Sequence, residues 1–366
     1  MSLVLNIYDF LVQSAAKLRL QRLVEKSWIM PNFRAMESKS SIMTDALLKR
    51  SIPTEWRSQG FPASQMKITM KLNHLLMSNS MVNEEYCNMV YFSGLMPERC
   101  YKTFKGLEDI LARYGVKSEL IEGTKDIWCR DYMPVQIMGN RFTLFRYEPD
   151  YLLDTDEHKA SITDNSLASR YIGTSYLHDC RHIKLDGGNI ISGYGKVIMT
   201  SKVFEENSHY APLKLLEQLT RIFGAEIIIL PWDTNEIYGH TDGIVRIIDE
   251  DTVLMTNYAQ FDSDMAARFR RILEAHFENV HELSFKAVKP HKYSWAYINW
   301  LQTDRVLILP KFGAPEDQEA YDQISRLMPH YKSRIEMVDA TDLIRYEGGL
   351  NCASWTVYDT PNRDLP

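Results

Sequence analysis

The stretch NIISGYGKVIMTSKVFEENSHYAPLKLLEQLTRIFGAEIIIL, residues 189–230, decides the fold, because it contains one complete structural unit. Asn189–Ile191 and Lys196–Thr200 are two short runs on either side of a Gly-Tyr-Gly turn, which is typical of a β-hairpin. In Ala211–Phe223 the apolar residues recur every three or four positions, which predicts an amphipathic helix. The apolar run Glu226–Leu230 predicts a buried strand. The unit is therefore a hairpin, a helix and a third strand.

The same order recurs along the chain. One later unit has predicted strands and helix at Gly243–Ile248, Thr252–Thr256, Asp262–Glu278 (the helix) and Val280–Phe285. The next has them at Tyr297–Gln302, Arg305–Leu309, Pro315–Met328 (the helix) and Arg334–Val338. An earlier hairpin is predicted from Asp131–Gln136 and Arg141–Tyr147. The interval between units is about 55 residues, which indicates a repeat architecture.

The C-terminal strand Asn351–Tyr358 follows the last unit at the same interval. We expect it to form a unit with strand Asn88–Gly94, helix Pro97–Tyr114 and strand Val116–Ile121. About five units then close on themselves and leave no free sheet edge. The predicted fold class is α/β, a propeller-like ring with pseudo-symmetry. A series of separate α/β domains is the alternative, but it would not show a fixed interval.

The composition and charge are those of a soluble globular protein. The 366 residues are 45% hydrophobic and 25% charged, and the net charge is -6. Because Lys and Arg form no basic stripe, nucleic acid is not an expected partner, and the mild negative field favours a small cationic ligand. The run Leu3–Ala16 contains polar residues and follows no basic residue, so we interpret it as an amphipathic helix rather than a signal peptide, and expect no membrane partner.

The N-terminal segment differs in character from the rest. Residues 1–83 show no clear hydrophobic period, so we predict an extension of unknown role there, with Met81 as an alternative start, and the main domain at 84–366. The cysteines are odd in number and form no Cys-x-x-Cys pair, so we expect a reduced, cytoplasmic setting: Cys87, Cys100, Cys129, Cys180 and Cys352. The sequence does not determine the oligomeric state, and a homodimer is a candidate.

A polar cluster opens each predicted hairpin. The clusters are Trp128-Cys129-Arg130-Asp131, Leu185-Asp186-Gly187-Gly188-Asn189, Tyr238-Gly239-His240-Thr241-Asp242, Tyr297-Ile298-Asn299 and Gly348-Gly349-Leu350-Asn351-Cys352. A ring with constant spacing would bring all of them to one mouth. A thiol, an imidazole and carboxylates within reach of one another are what nucleophilic catalysis requires. Taken singly, Cys352 would more often be a small buried hydrophobe, and His240 a structural histidine.

Four of these motifs resemble the signature of the agmatine deiminase and Porphyromonas-type peptidyl-arginine deiminase family. They are Trp128-x-Arg130-Asp131, Asp186-Gly187-Gly188-Asn189, Gly239-His240-x-Asp242 and Gly348-Gly349-x-Asn351-Cys352. The resemblance extends over roughly residues 88–358. It implies the five-bladed pentein α/β propeller with pseudo-five-fold symmetry, and hydrolysis of a guanidino group without a metal or an organic cofactor.

The resemblance also implies roles for individual residues. Cys352 would attack the guanidinium carbon, and His240 would carry protons. Asp131 and Asp242 would hold the guanidinium, since a planar cation with forked N–H groups is fixed well by carboxylates. A covalent thiouronium would form and then be hydrolysed.

Substrate contacts are expected at four further positions, each with a structural alternative. Trp128 is either a wall for the cation or a core aromatic, and Arg130 either touches substrate or orients a carboxylate. Asp186 is a substrate contact or part of a tight turn, and Asn299 lines the site or makes a strand-end hydrogen bond. Cys129, beside Asp131, is a candidate second oxidisable thiol on the expected strand.

The substrate itself is left open by two departures from the family pattern. Many agmatine deiminases have His immediately before the catalytic cysteine and Glu before the first Gly-Gly pair, where this chain has Asn351 and Asp186. Agmatine is the first expectation, giving N-carbamoylputrescine and ammonia for putrescine biosynthesis. Peptidyl-arginine or free arginine is the alternative, with Arg146 as a candidate carboxylate ligand. Amidino transfer and a catalytically silent binding module are the remaining alternatives.

Overall fold

Five three-stranded sheets form the part of the chain that the structure describes. The structure is a computed structural model and describes residues 82–173 and 176–359. The strands are β1 (Met89–Ser93), β2 (Lys117–Ile121), β3 (Val135–Met138), β4 (Arg141–Arg146), β5 (Leu177–Lys184), β6 (Ile191–Gly193), β7 (Lys196–Thr200), β8 (Glu226–Leu230), β9 (Val245–Ile247), β10 (Thr252–Met255), β11 (Asn279–Glu282), β12 (Leu301–Gln302), β13 (Leu307–Lys311), β14 (Ile335–Asp339) and β15 (Ser354–Val357). The sheets are β15-β1-β2, β3-β4-β5, β6-β7-β8, β9-β10-β11 and β12-β13-β14.

Helices connect the strands within and between these sheets. The longer α-helices are Tyr101–Arg113, Pro212–Phe223, Ser263–Leu273 and Glu316–Leu327. The shorter ones are Met96–Arg99, Cys129–Tyr132, Asp156–Ala160 and Lys202–Glu206. Short 3-10 helices are found at Glu84–Tyr86, Asp150–Leu152, Asn165–Arg170, Gly187–Asn189, Thr241–Gly243, Tyr258–Gln260, Ser294–Ile298, Pro329–Tyr331 and Leu343–Tyr346.

Every sheet has the same topology. The first two strands are antiparallel, and the third is parallel to the middle one, as in β6, β7 and β8. The strand after Cys352 completes the first sheet, because β15 pairs antiparallel with β1 from Met89 opposite Val357 to Phe92 opposite Ser354. The predicted α/β class and the closing unit formed by the two ends of the domain are therefore confirmed.

The quoted unit shows why the pattern folds this way. Helix Pro212–Phe223 begins with proline and ends before Gly224, whose φ of 60° suits a helix C-terminus. Its buried residues Leu215 and Leu219 lie one turn apart and belong to the same core cluster as Val197 and Met199 of β7. Each such burial contributes about 1.5–3 kcal/mol before the entropy cost of ordering. The helix is thereby fixed on one face of its sheet.

Neighbouring units share core residues. Leu107 and Leu111 of helix Tyr101–Arg113 are in one cluster with Ile308 of β13 and Val338 of β14. The helix of the first unit thus packs against the fifth sheet. Buried apolar packing therefore joins the two ends of the repeat, in addition to the pairing of β15 with β1.

The structure differs from the sequence-based prediction at two hairpin starts. Residues Cys129–Tyr132 form a helical turn, and β3 begins only at Val135, after Pro134. Likewise Ser294–Ile298 is a 3-10 helix, and β12 is reduced to Leu301–Gln302. At each turn a side chain binds the neighbouring cluster: Oδ1 of Asp131 accepts a hydrogen bond from the backbone N–H of Gly188, and Nδ2 of Asn299 donates to the carbonyl of Asp242.

The connection from β4 to β5 was not predicted. It contains short helical segments rather than one amphipathic helix, and β5 exposes His178, Asp179, Arg181 and His182 to solvent. Neither part has the apolar periodicity on which such predictions depend.

The expectations for residues 1–81, including the helix Leu3–Ala16, lie outside the described residues. Contacts group Ser80–Pro366 into one compact unit, and the boundary between residues 83 and 84 stays a prediction. Within 82–173 and 176–359, none of the helices combines the length and apolar character required to cross a membrane.

Candidate active site

Hydrogen bonds join the five polar clusters into a closed ring. Each link runs from one cluster to the next: Gly188 N to Asp131 Oδ1 at 2.8 Å, Thr241 Oγ1 to Asn189 Oδ1 at 2.7 Å, Asn299 Nδ2 to the Asp242 carbonyl at 3.2 Å, Asn351 N to Asn299 Oδ1 at 2.9 Å, and Arg130 N to the Cys352 carbonyl at 3.1 Å. The clusters expected at one mouth therefore do meet.

The glycine pairs in these motifs allow close approach between clusters. A Cβ at Gly188 would lie 2.5 Å from Nδ1 of His240 and 2.7 Å from Oδ1 of Asp131. A Cβ at Gly349 would overlap the side chain of Asn299. Neither glycine has a positive φ, so it is the lack of a side chain, and not a turn conformation, that the site requires.

Cys352 lies beside a carboxylate and an amide. Its Sγ is 3.3 Å from Oδ2 of Asp242 and 3.4 Å from Oδ1 of Asn299, and the residue is 8% exposed. Burial, followed by the charges of Asp242 and Asp131, raises the pKa of the thiol well above its ordinary value. In the absence of a bound cation the sulfur is therefore protonated at neutral pH.

His240 lies between two carboxylates. Its Nε2 is 3.3 Å from Oδ2 of Asp186, and its Nδ1 is 3.8 Å from Oδ1 of Asp131. Burial alone would lower the pKa of the imidazole. The charge of Asp131, the hydrogen bond and charge of Asp186 and the charge of Asp242 outweigh burial, and the pKa rises to about 10. His240 is thus an imidazolium at neutral pH and can donate a proton.

The carboxylates form a concentrated negative region. Burial raises the pKa of Asp131 to about 7, opposed by the charge of His240 and reinforced by the charges of Asp186 and Asp242. Asp242 is 1% exposed, and Nδ2 of Asn351 donates to its Oδ2 at 2.8 Å. Like charges held this close favour binding of a cation between them.

Two of the predicted substrate contacts interact with Cys352 or His240. Asp186 is the Nε2 partner of His240. Oδ1 of Asn299 accepts hydrogen bonds from the backbone N–H groups of Asn351 and Cys352, at 2.9 and 3.2 Å. Both residues therefore fix the position of catalytic candidates, whatever they contribute to substrate binding.

The other two predicted substrate contacts are Trp128 and Arg130. The ring of Trp128 is partly exposed and packs against Gly348, where any Cβ would overlap it. The guanidinium of Arg130 donates from Nε to the Asn351 carbonyl at 3.3 Å and from Nη2 to Oγ1 of Thr356 at 3.2 Å. Trp128 can wall a ligand beside the Cys352 segment, whereas Arg130 binds the chain around the nucleophile.

The remaining candidates make structural contacts. Cys129 is fully buried, donates from Sγ to the Ala353 carbonyl at 3.1 Å, and lies on a helical turn, so strand alternation does not govern its direction. Burial raises the pKa of this thiol, which makes it unreactive. Arg146 donates to the Arg181 carbonyl at 3.0 Å and lies 3.9 Å from Glu148.

Sequence reasoning missed the supports of the His240 segment. Lys202 is 2% exposed, and its Nζ lies 2.7 Å from Oδ1 of Asp150 and donates to the carbonyls of Ile237 and Tyr238 at 2.8 and 3.1 Å. The ring of Tyr151 lies 6.3 Å from that of His240. Lys202 and Tyr151 belong to none of the motifs, so only the three-dimensional structure shows that they contact the His240 segment.

An α/β ring of five sheets with a buried thiol, an imidazolium and paired carboxylates defines the pentein class of guanidino-modifying hydrolases. The chain belongs to the Porphyromonas-type peptidyl-arginine deiminase family, whose model matches residues 84–357. Family membership places it among hydrolases that act on the C–N bonds of amidines. The resemblance seen in the four motifs is thereby confirmed.

Solved structures with the same fold include two agmatine deiminases. The C. jejuni agmatine deiminase is 18% identical, with a TM-score of 0.61 and coverage of 76% of this chain and 96% of that chain. The Enterococcus faecalis agmatine deiminase is 14% identical, with a TM-score of 0.56 and coverage of 76% and 95%. A Porphyromonas gingivalis protein described as an arginine deiminase is 16% identical, with a TM-score of 0.61 and coverage of 76% and 98%. No match was found among curated protein sequences.

Proposed function

We propose that the chain hydrolyses the guanidino group of agmatine to N-carbamoylputrescine and ammonia, with Cys352 as the nucleophile. One observation carries the proposal. The thiol of Cys352 lies 3.3 Å from the carboxylate of Asp242, while His240 lies between Asp131 and Asp186. The ring of hydrogen-bonded clusters thus holds a candidate nucleophile, a candidate proton donor and carboxylates that can bind a cation.

Binding of the substrate prepares the nucleophile. A guanidinium held by Asp131 and Asp242 offsets the two charges that raise the pKa of the thiol. The thiol can then lose its proton to solvent water, and the thiolate adds to the guanidinium carbon to form a C–S bond.

The first half of the reaction ends with loss of ammonia. The imidazolium of His240 donates its proton to the departing nitrogen, the C–N bond breaks, and a thiouronium remains on Cys352. In the second half, the neutral imidazole takes a proton from water, and the oxygen attacks the same carbon. The C–S bond breaks, the hydroxyl proton passes to the departing sulfur, and the ureido product and the thiol are released.

The charged side chains around the site favour a substrate without a carboxylate. Among the described residues near it, Arg130 is engaged by Asn351 and Thr356, and Lys202 by Asp150 and two carbonyls. Agmatine lacks the carboxylate of arginine and has a second positive charge. Glu347, whose Oε2 accepts a hydrogen bond from Tyr238 at 2.8 Å, is an exposed carboxylate on the Cys352 segment that would favour that charge.

The proposal is tested by incubating the full-length protein with agmatine, free arginine and an arginine-terminated peptide, each without an added amine. Ureido product is measured colorimetrically, and released ammonia is measured in parallel. We expect agmatine to give the highest kcat/KM and equal amounts of both products.

Other outcomes separate the alternatives. Higher kcat/KM with the peptide or with free arginine would overturn the choice of agmatine. If no ammonia is released without an added amine, and an added amine receives the amidino group while the diamine is released, amidino transfer would replace hydrolysis. No reaction with any of the three compounds would refute the proposed function.

A further inference from the structure

One pocket is lined by residues that support the ring of hydrogen-bonded clusters and by none of the proposed reacting groups. It has about 840 Å³ of empty space, part of it open to solvent, and its lining includes Glu84, Arg130, Gly187, Arg246 and Thr356. Cys352, His240, Asp131 and Asp242 do not line it. The short segment Val82–Cys87, which precedes β1, forms one of its walls.

The carboxylate of Glu84 binds both arginines of this pocket. Its Oε2 is 2.5 Å from Nη1 of Arg246, and its Oε1 is 3.5 Å from Nη2 of Arg130. The side chain of Arg246 is 3% exposed, that of Arg130 15% and that of Glu84 22%. Ion pairs this deeply buried are weakly screened by water and salt.

Each arginine also holds the carbonyl that precedes a site residue. Arg130 donates from Nε to the carbonyl of Asn351, the residue before Cys352. Arg246 donates from Nε to the carbonyl of Ile298, the residue before Asn299, at 3.1 Å. Cys352 and Asn299 are themselves in contact, so the two arginines hold the backbone next to both partners of that contact.

We propose that Glu84 is a positioning residue for the reaction, which holds Arg130 and Arg246 against the Asn351 and Ile298 carbonyls and offsets one of their two positive charges near the cation site. Its carboxylate is the bridge between two segments that approach from different sheets. Loss of its charge would leave two buried guanidinium groups behind carboxylates that must bind a cation.

The effect on the nucleophile follows from the charged groups that face it. Asp242 and Asp131 act on the thiol of Cys352 directly, and His240 lies against Asp131. Loss of the one negative charge that pairs with these two arginines would make the region more positive, weaken the binding of a cationic substrate, and favour the thiolate in the absence of substrate.

The test compares Glu84→Gln, Glu84→Asp and the matched control Glu85→Gln in the full-length protein. Glu85 is in the same helical turn, but it binds the hydroxyl of Tyr194 at 2.7 Å rather than the arginines. Two readouts are used: kcat and KM with agmatine, and the pH dependence of Cys352 alkylation by iodoacetamide, followed by mass spectrometry. The first rests on the proposed function and the second does not, so absence of turnover in the wild-type protein would leave the second readout valid.

We expect Glu84→Gln to lower kcat/KM about tenfold, partly through a higher KM, and to move the alkylation profile to lower pH by about half a unit. Glu84→Asp keeps the charge but is one methylene shorter, so we expect the wild-type alkylation profile and about a threefold lower kcat. Glu85→Gln should match the wild-type protein in both readouts.

The proposal is overturned if Glu84→Gln and Glu85→Gln behave alike, or if Glu84→Gln lowers only the melting temperature. If Glu84→Gln does not fold, Glu84→Asp decides the matter, because a wild-type kcat in that variant would show that the bridge has no effect on the reaction.

Discussion

Oδ2 of Asp242 faces the sulfur of Cys352 at 3.3 Å and accepts a hydrogen bond from Nδ2 of Asn351 at 2.8 Å. The same oxygen is thus bound to the nucleophile and to the residue before it. Its charge helps to keep the thiol protonated, and the proposed reaction uses that charge to hold the substrate. We therefore expect the thiol to stay protonated until a bound cation offsets the charge of Asp242.

Replacing the nucleophile should stop turnover. We expect Cys352→Ser to lose at least about a thousandfold in kcat, because a serine hydroxyl ionises much less readily than a thiol and is a far weaker nucleophile. Cys129→Ser is the control, since that thiol is buried near the same loop and binds only carbonyl groups. Ureido product from agmatine is the measurement. Comparable turnover by Cys352→Ser and the wild-type protein would rule out the thiouronium route.

The pH dependence should be bell-shaped. As the pH falls through about 7, Asp131 gains a proton and loses the charge that holds the cation. As the pH rises through about 10, His240 loses the proton that the departing nitrogen needs. We therefore expect kcat/KM to fall on both sides of this range, since that parameter reports the groups of the free enzyme. A profile that is flat from about pH 5 to pH 8 would contradict the role given to Asp131.

Asp186 should set the alkaline limb of that profile. Asp186→Asn removes a charge and a charged hydrogen-bond acceptor from His240, so the pKa of His240 should fall and the alkaline limb should move to lower pH by about one unit. Asp154→Asn, which removes an exposed carboxylate paired with His158, should leave the limb in place. An unmoved limb in Asp186→Asn would mean that another group determines it.

A methyl group at Gly188 should damage the reaction more than the fold. Its Cβ would displace both His240 and Asp131, which lie 2.5 and 2.7 Å from that position, so we expect kcat/KM to fall about a hundredfold or more. Gly193→Ala is the control, because the nearest atoms to its Cβ are 3.7 Å away. Thermal unfolding is measured alongside kinetics. Wild-type activity in folded Gly188→Ala would show that the glycine is not required for the site.

The repeat could be predicted because its helices and strands have strong apolar periods. Strand Glu226–Leu230 was predicted with its observed bounds, and helix Pro212–Phe223 to within one residue. The closing pair of β1 and β15 followed from the interval alone. By contrast, β5 is largely polar and solvent-exposed, so no apolar pattern marks it.

The site could be predicted only as far as its motifs extend. The constant repeat interval was enough to predict that the clusters meet at one mouth. The turns at Cys129–Tyr132 and Ser294–Ile298 could not be predicted, because the hydrogen bonds near them join clusters that are distant in sequence. Glu84 and Lys202 are far in sequence from the residues that they hold. Their roles arise from tertiary contacts between residues of unlike type, which leave no periodic signal.

The pairing of β15 with β1 has a consequence for biosynthesis. Cys352, the proposed nucleophile, and strand β15, which completes the first sheet, are synthesised after the other four sheets, so a nascent chain lacks both until then. The proposed reactive sulfur and the completed first sheet are therefore acquired together during translation.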